Sequence, residues 1–539
     1  MRIRRAPLSL LIFSQSDLLV YTIAFYRICV ILCAFIIGAA LFHRTTNIWT
    51  LKNLGDSFLT KQIGRRPIII GTFHRPQYEQ NIDGNYVVIQ FVGDSRQVHS
   101  LYCFSTTSTG DTLVDRAHIE RIHKGKRAAN DICSWAGHIA ECRVAQRFPP
   151  SIRVSTKNDV RLSMKVTIEP TLNERRHELV ICFAPMYTYT DWQIMLLGIE
   201  NWLALGATKI VVPVQSTSSN TLFILKEYEK AGLVILRHWP KWPVLSDVNP
   251  NGLVLSRGIE ESHVNCLHFV KPWADMVAFS DIDDMLIPTN PMDVHNRSDI
   301  EILQELIKEH PQAGSFLFEH RDVQLVLPKE ENMNSLKNFN FNFLENTKWK
   351  STCKIWRMKT RVIVNASRVD SVNMHETGIH RFGYVQVRVP CHRAHFYHMR
   401  HSYGEVGHET PIDMRKLIDM LNKLFPKAFA ERITTSLIAV SNVTLNKSST
   451  ESFADFDRCM SAINDEHWSL RVSRCLTPHV CYSRLTRNVD CMASLGQYEF
   501  MHVDGDFIIV LIESKLVHSD TNCESPLPMF MKGNHFYLP

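Results

Sequence analysis

Apolar residues are arranged in three different ways along this chain, and each arrangement predicts a different kind of structure. From Leu18 to Phe42 they run almost unbroken, interrupted by Arg27 and a few mildly polar residues. At ~1.5 Å per residue a helix of that length crosses a ~30 Å hydrocarbon core. Between residues 67 and 175 the apolar residues come in short β-branched runs bounded by turn residues, such as Pro67-Ile68-Ile69-Ile70, Tyr86 to Val92 and Leu162 to Ile168. These predict a small β-rich domain.

From residue 178 apolar strands alternate with helical spacing. Glu178 to Ala184 is a buried-type strand that stops at Pro185. Asp191 precedes a helix carrying Trp192, Met195, Leu196, Ile199, Trp202 and Leu203, which Gly206 ends. Lys209 to Val214 is the next strand, a helix follows from Asn220 to Gly232, and Leu233 to Leu236 is a third strand. A helix from Ser256 to Ala274 feeds a fourth, Met276 to Ser280. Strand–helix alternation with short links predicts right-handed crossovers between parallel strands, hence a Rossmann-like open sheet that binds ligands at the strands' carboxyl ends. Further on, Ile412 to Phe425 reads as an amphipathic helix.

Charge and cysteine content add a direction to this layout. Arg2, Arg4 and Arg5 precede the apolar span and favour a cytoplasmic N-terminus, and Arg27 lies near enough to one end to snorkel. A cleaved signal peptide is the alternative, but the run is long for that role and Ala39-Ala40 is a weak cleavage site. With an anchor, everything after residue 45 is lumenal. The 14 cysteines include Cys29 and Cys33 in the span, and the rest, from Cys103 to Cys523, contain no CxxC pair. That spacing argues against a zinc site, and an oxidising lumen would permit disulfides whose pairing the sequence leaves open. Sequons at Asn296, Asn365, Asn442 and Asn446 agree with that compartment. A net charge of +6 on 539 residues, with no dense Lys/Arg tract, gives no reason to expect nucleic acid.

The chemistry concentrates at Asp281-Ile282-Asp283-Asp284, directly after the fourth strand. An apolar strand there delivers carboxylates to the ligand edge of the sheet, and strand periodicity would aim Asp281 and Asp283 the same way. Crowded carboxylates repel unless a cation sits among them. A hard divalent ion suits them and can bridge to a diphosphate.

Several segments resemble glycosyltransferase family 92, a family of GT-A-type, galactosyltransferase-like enzymes. They are Cys182-Phe183-Ala184-Pro185-Met186-Tyr187, Trp192 and Glu200, Leu205-Gly206-Ala207, Tyr228 to Gly232, Asn265-Cys266-Leu267 and Trp273 to Asp284. Lys354 to Arg357, Met374-His375-Glu376 and Ala394 to Arg400 resemble later blocks, so the likeness covers roughly residues 178–403. It implies a UDP-sugar donor, UDP-galactose in particular, a Mn²⁺-like ion, inversion at the anomeric carbon, and a glycan acceptor such as a fucose-bearing N-glycan core. It also implies a histidine as a further metal ligand, for which His375 and His398 are the candidates beside Asp281 and Asp283. Asp284 stands where the family has Glu, Asn265 where it has an acid, Ile259 where it has Gln and Met399 where it has Tyr. Asp284 and Arg400 are candidate donor-binding residues, Arg400 through its planar fork.

Inversion requires a base near the acceptor hydroxyl, and Glu319, ending the apolar run from Ser315, is the candidate. Trp239 and Trp242 are candidates to stack on a sugar or base, or else to pack in a core. The expected layout is a tail at 1–17, a transmembrane anchor at 18–42 and a stem at 43–66. The β-rich domain at 67–175 and a GT-A-like α/β catalytic domain at 176–403 follow, then a cysteine-containing extension at 404–539. That layout describes a single-pass type II membrane protein of the Golgi or endoplasmic reticulum. The alternative is a non-catalytic lumenal protein that binds glycans on the same fold.

Overall fold

The computed structural model describes residues 26–34, 36–37, 64–76, 84–122, 133, 135–172, 174–246, 248–288, 294–295, 297–324, 339–349, 359–399, 413–432 and 490–519. The chain divides into two compact units, residues 1–64 and 65–539. In the first, residues 26–34 and 36–37 are helical. The other residues of the expected anchor lie outside the described set, and among the described residues no helix is long and apolar enough to cross a membrane.

The larger unit begins with a β-sandwich. Ile68–His74, Asn85–Asp94, Trp135–Val144 and His118–Arg121 pair in a seven-stranded sheet. A four-stranded sheet contains Thr112–Arg116, Tyr102–Thr106, Ser151–Ser155 and Met164–Thr167. Ile69, Val87, Ile89 and Phe91 of the first sheet share a core with Ile152, Val154 and Met164 of the second. A disulfide between Cys103 and Cys142 joins the two sheets. The β-rich character expected for residues 67–175 is present, but the sheet is completed from far away. A C-terminal hairpin, Cys491–Val503 and Asp506–His518, lies between Ile68–His74 and the short strand Ser216–Ser218. The hairpin therefore fastens the sandwich to the α/β region.

The α/β region is built on a third sheet, in the order Val234–His238, Lys209–Val214, His177–Phe183, Ala274–Ser280, Lys359–Asn365, Ala313–Gln324, Ala394–His398, Asp284–Pro288. The first four strands are parallel and in the order 3-2-1-4, the half-sheet of a dinucleotide-binding type that the alternation predicts. Antiparallel pairing begins where Lys359–Asn365 joins Ala274–Ser280. The disulfide Cys182–Cys266 ties the first strand to the helix Ile259–Val270.

Two helices differ from their sequence expectations for physical reasons. The helix expected from Ser256 starts at Ile259, because Ser256, Arg257 and Gly258 all have positive φ (48°, 60° and 82°). A side chain at Gly258 would also run into Trp242. The C-terminal helix starts at Arg415, not Ile412, and Met414, Leu417, Ile418 and Leu421 enter the main core. It packs on the helix Trp192–Ala204, which therefore buries nearly all of its residues instead of one stripe. Gly206 (φ 110°) ends that helix as its pattern predicts. Gly198 in its middle has a second purpose: a Cβ there would collide with the Ile282 carbonyl. The missing side chain lets the helix approach the turn that carries Asp281 and Asp283.

Candidate metal centre

Ala274–Ser280 is buried along nearly its whole length and ends at the carboxyl edge of the parallel strands. The chain then turns through Asp281-Ile282-Asp283, closed by the Asp284 amide donating to the Asp281 carbonyl at 3.1 Å. Asp284 opens the strand Asp284–Pro288. Asp281 and Asp283 thus sit on a turn and not on a strand as expected, and their side chains keep 30% and 21% exposure. Asp284 has none.

Two of the neighbouring strands bring histidines to these carboxylates. Asp284 is paired with His398 in the antiparallel register of Asp284–Pro288 with Ala394–His398. His320 arrives from Ala313–Gln324, which runs parallel to Ala394–His398. Both imidazoles reach Asp284 Oδ1 at 2.8 Å, His320 through Nε2 and His398 through Nδ1. Asp284 Oδ2 accepts from Arg361 Nε at 2.6 Å and from the Asp281 amide at 2.9 Å. Each oxygen of this carboxylate therefore accepts two donors, which is the usual capacity of its lone pairs. Burial alone would push its pKa up, but Arg361, His320 and His398 outweigh that and hold it well below the usual carboxylate range. Burial pushes the His320 imidazole down to about 4, against the pull of Asp284.

In the neutral ring, the contact with Asp284 fixes the His398 tautomer. A carboxylate only accepts, so Nδ1 carries the proton and Nε2 is left with its lone pair. Nε2 faces Asp283 Oδ2 at 3.5 Å. A carboxylate behind a ligating imidazole is a common way to orient it and raise its basicity. Atoms from Asp281, Asp283, Asp284 and His398 lie within 4.8 Å of one another, and so do atoms from Asp284, His320 and His398. The second group is wholly buried and joined through Asp284 Oδ1, with His320 Nδ1 buried and without a hydrogen-bond partner among the described residues. The first has a partly exposed side formed by Asp281 and Asp283, with the buried His398 ring beside both, and oxygen with imidazole nitrogen is a donor set that suits a divalent cation. Asp284 is better placed to orient this set than to bind the ion.

Arg361 completes the arrangement. Its Nε reaches Asp284, its Nη2 forms a salt bridge with Asp281, and Nη1 donates to the Met374 carbonyl at 3.3 Å. Burial would lower its pKa, but Asp281 and Asp284 raise it further above its already high value.

The other residues expected at the site are placed elsewhere. His375 Nδ1 contacts the Thr360 carbonyl at 3.0 Å, and its backbone amide donates to Asn373 Oδ1 at 2.8 Å. It belongs to neither carboxylate–histidine group. Glu319 is buried and ion-paired with Arg321 at 3.1 Å. Strand alternation puts it on the face opposite its neighbour His320. Trp239 and Trp242 pack with Trp135, Ile68 and Val92, which is a core use and not a sugar platform. Asn265 lies between the sandwich and the α/β region, donating to Gln90 Oε1 at 3.0 Å and accepting from Arg237 at 2.8 Å. Met399 is fully buried. Among the sequons, Asn365 is half-buried, its Oδ1 accepting from the Ser367 amide and hydroxyl at 3.0 and 2.6 Å. Arg400, the Lys354–Arg357 block, Asn296, Asn442 and Asn446 lie outside the described residues.

A Rossmann-like half-sheet that presents a carboxylate–histidine group at its carboxyl edge is the framework of a sugar-transferring domain, and the comparisons agree that the class is glycosyltransferase. Residues 177–441, a little under half of the chain, match glycosyltransferase family 92, and this region is a domain of that family. Glycosyltransferase family 92 protein F13G3.3 of Caenorhabditis elegans is 24% identical over 48% of this chain and 50% of its own length. Glycosyltransferase family 92 protein C33H5.2 of the same organism is 29% identical over 30% of this chain and 32% of its own. The chain thus spans about half the length, or less, of these two curated relatives. The solved structure of S. aureus TarS 1-349 aligns at 14% identity over 62% of this chain and 97% of that one, with a TM-score of 0.24; at that score the likeness carries no argument.

Proposed function

We propose that this protein transfers a hexose from a UDP-sugar, galactose by family resemblance, to a glycan acceptor with inversion, and that a divalent cation such as Mn²⁺ assists. The observation that carries this reading is the convergence of the partly exposed Asp281 and Asp283 with His398, with Asp284 orienting the imidazole from behind. Asp281, Asp283 and His398 would hold the ion. The ion would supply positive charge to the diphosphate as its bond to the sugar breaks. The chain's own contribution is to hold these ligands in place before the donor arrives, so that little reorganisation accompanies the reaction. Asp284 fixes the His398 ring and the Asp281 amide together, and Gly198 lets the helix behind them seat the turn.

The disulfides Cys103–Cys142 and Cys182–Cys266 and the sequon at Asn365 support a lumenal setting. We place the catalytic unit there, anchored by Leu18–Phe42 as a type II protein of the Golgi or endoplasmic reticulum. The test uses the chain from residue 45 onward, secreted from a eukaryotic host. UDP release from UDP-galactose is followed with and without Mn²⁺ and a glycan acceptor, beside the Asp281→Ala/Asp283→Ala protein. Acceptor-stimulated, Mn²⁺-dependent turnover that disappears in the double variant is expected. A folded protein inert across a panel of donors and acceptors would favour the glycan-binding alternative.

A further inference from the structure

Arg361 joins the half-open Asp281 to the buried Asp284. It has three anchors: Asp284 Oδ2 through Nε at 2.6 Å, the Met374 carbonyl through Nη1 at 3.3 Å, and Asp281 through Nη2. Asp284 is fully buried and is placed to orient the ligands, and the Met374 carbonyl is a neutral backbone acceptor. The third is a carboxylate with a 30% exposed side chain that belongs to the proposed ion-binding set. A guanidinium and a divalent cation both require the negative charge of Asp281, and like charges so close together repel.

We propose that Arg361 is a built-in counter-cation that competes with the metal ion for Asp281, so that the site binds the ion weakly on its own and firmly only together with the donor's diphosphate. The fork of Arg361 stays on Asp284 and Met374 when Asp281 leaves it, because those two contacts use different nitrogens. Only Asp281 changes partner. In the ion-free protein the arginine neutralises Asp281 and keeps the turn in shape. When a cation takes Asp281, Arg361 and the ion form one positive surface, and a diphosphate is the dianionic group that relieves it. Cation and nucleotide binding are thereby coupled, and by linkage each raises the affinity of the other by the same factor.

This inference rests on the proposed metal site, and the test separates the two. Mn²⁺ affinity is measured by titration calorimetry on the secreted chain, with and without saturating UDP, for the wild type, Arg361→Gln and Arg361→Lys. In the wild type, UDP is expected to tighten Mn²⁺ by at least about tenfold, a typical coupling between sites. Arg361→Gln frees Asp281 and removes a positive charge. Mn²⁺ alone should then bind on the order of tenfold tighter, while the gain from UDP shrinks. Arg361→Lys keeps a charge but cannot fork between two carboxylates, so it should fall between them. It decides the matter if Arg361→Gln does not fold. Equal or weaker Mn²⁺ binding in the folded variants, with the UDP gain intact, would overturn the role of Arg361 and leave the metal site standing. A folded wild-type protein that binds neither Mn²⁺ nor UDP would remove the proposed function itself.

Discussion

Asp284 and His398 face each other across an antiparallel strand pair, with Asp284 Oδ1 at 2.8 Å from His398 Nδ1. That one contact determines which ring nitrogen is available to a ligand. It also explains why an aspartate serves at a position where the family resemblance leads one to expect glutamate. The shorter side chain sits fully buried and receives all of its donors directly.

Asp284→Asn should therefore be severe. An amide offers one accepting and one donating end, whereas Asp284 accepts on both sides. One end of the amide must then point its N–H groups at donors, either the two imidazoles or Arg361. The expected loss is about 3 kcal/mol of stability, as for other broken buried pairs. Turnover should fall by about ten- to a hundredfold because His398 loses its orientation. Chemical denaturation and UDP release would measure the two effects; near-wild-type values in both would count against the network.

His398→Gln and His320→Gln should separate ligand from support. The first removes the nitrogen that faces Asp283, and the Mn²⁺ requirement should rise by at least about tenfold. The second leaves Asp284 with a side-chain N–H donor and should change Mn²⁺ affinity by only a few-fold. If His320→Gln were the more damaging of the two in a Mn²⁺ titration, the buried Asp284–His320–His398 group would be the better metal site.

Gly198→Ala tests the turn from behind. The added methyl meets the Ile282 carbonyl, so the helix or the turn must shift. Overpacking of this kind costs roughly 1–3 kcal/mol. Because the yielding element carries Asp281 and Asp283, Mn²⁺ affinity should fall along with stability. Loss of stability with unchanged Mn²⁺ binding would show that the helix moves and the turn does not.

Asn265→Asp restores the acid that the family resemblance leads one to expect. In this chain it puts a carboxylate oxygen against Gln90 Oε1, and Gln90 cannot turn over without giving up its Nε2 contact with the Glu261 carbonyl at 2.6 Å. Destabilisation of about 1 kcal/mol is expected, with Mn²⁺ affinity unchanged. A more stable or more active variant would contradict this assignment of Asn265 to the contact between sandwich and α/β region.

Acid should weaken the fold well before the carboxylates titrate. Burial lowers His138, His263 and His268 from the ordinary value to about 3. A histidine with a lowered native pKa takes up its proton more readily when unfolded. The stability it contributes is complete above about 6.5 and is lost as pH falls from there toward about 3. Each such group contributes a slope of roughly 1 kcal/mol per pH unit in that window. Urea midpoints at pH 7, 5.5 and 4.5 should decline steadily; a flat series would mean that these rings are hydrated or protonated in the native state.

Local information set out much of this protein. Apolar runs bounded by Pro and Gly marked the parallel strands, because a strand buried on both faces needs continuous hydrophobicity. Gly206 marked a helix end through a backbone angle that disfavours other residues. The acidic run after the fourth strand marked the site. Other features were decided only by tertiary structure. His320 and Arg361 carry no local signal: each is one of several polar residues at one end of its strand, Glu319 to Asp322 and Lys359 to Arg361, and the pairing of Phe318 with Arg361 and of Phe396 with His320 is what aims them at Asp284. One residue of slip would turn each of them to the other face. Glu319, next to His320, shows the same rule from the other side. The C-terminal hairpin is equally illegible, since its place in a sheet with Ile68–His74 depends on contacts more than 400 residues apart in the chain. A sequence specifies which side chains are available and which segments extend or coil. Strand register and long-range pairing, which minimise exposed apolar surface over the whole molecule, decide which of those side chains meet.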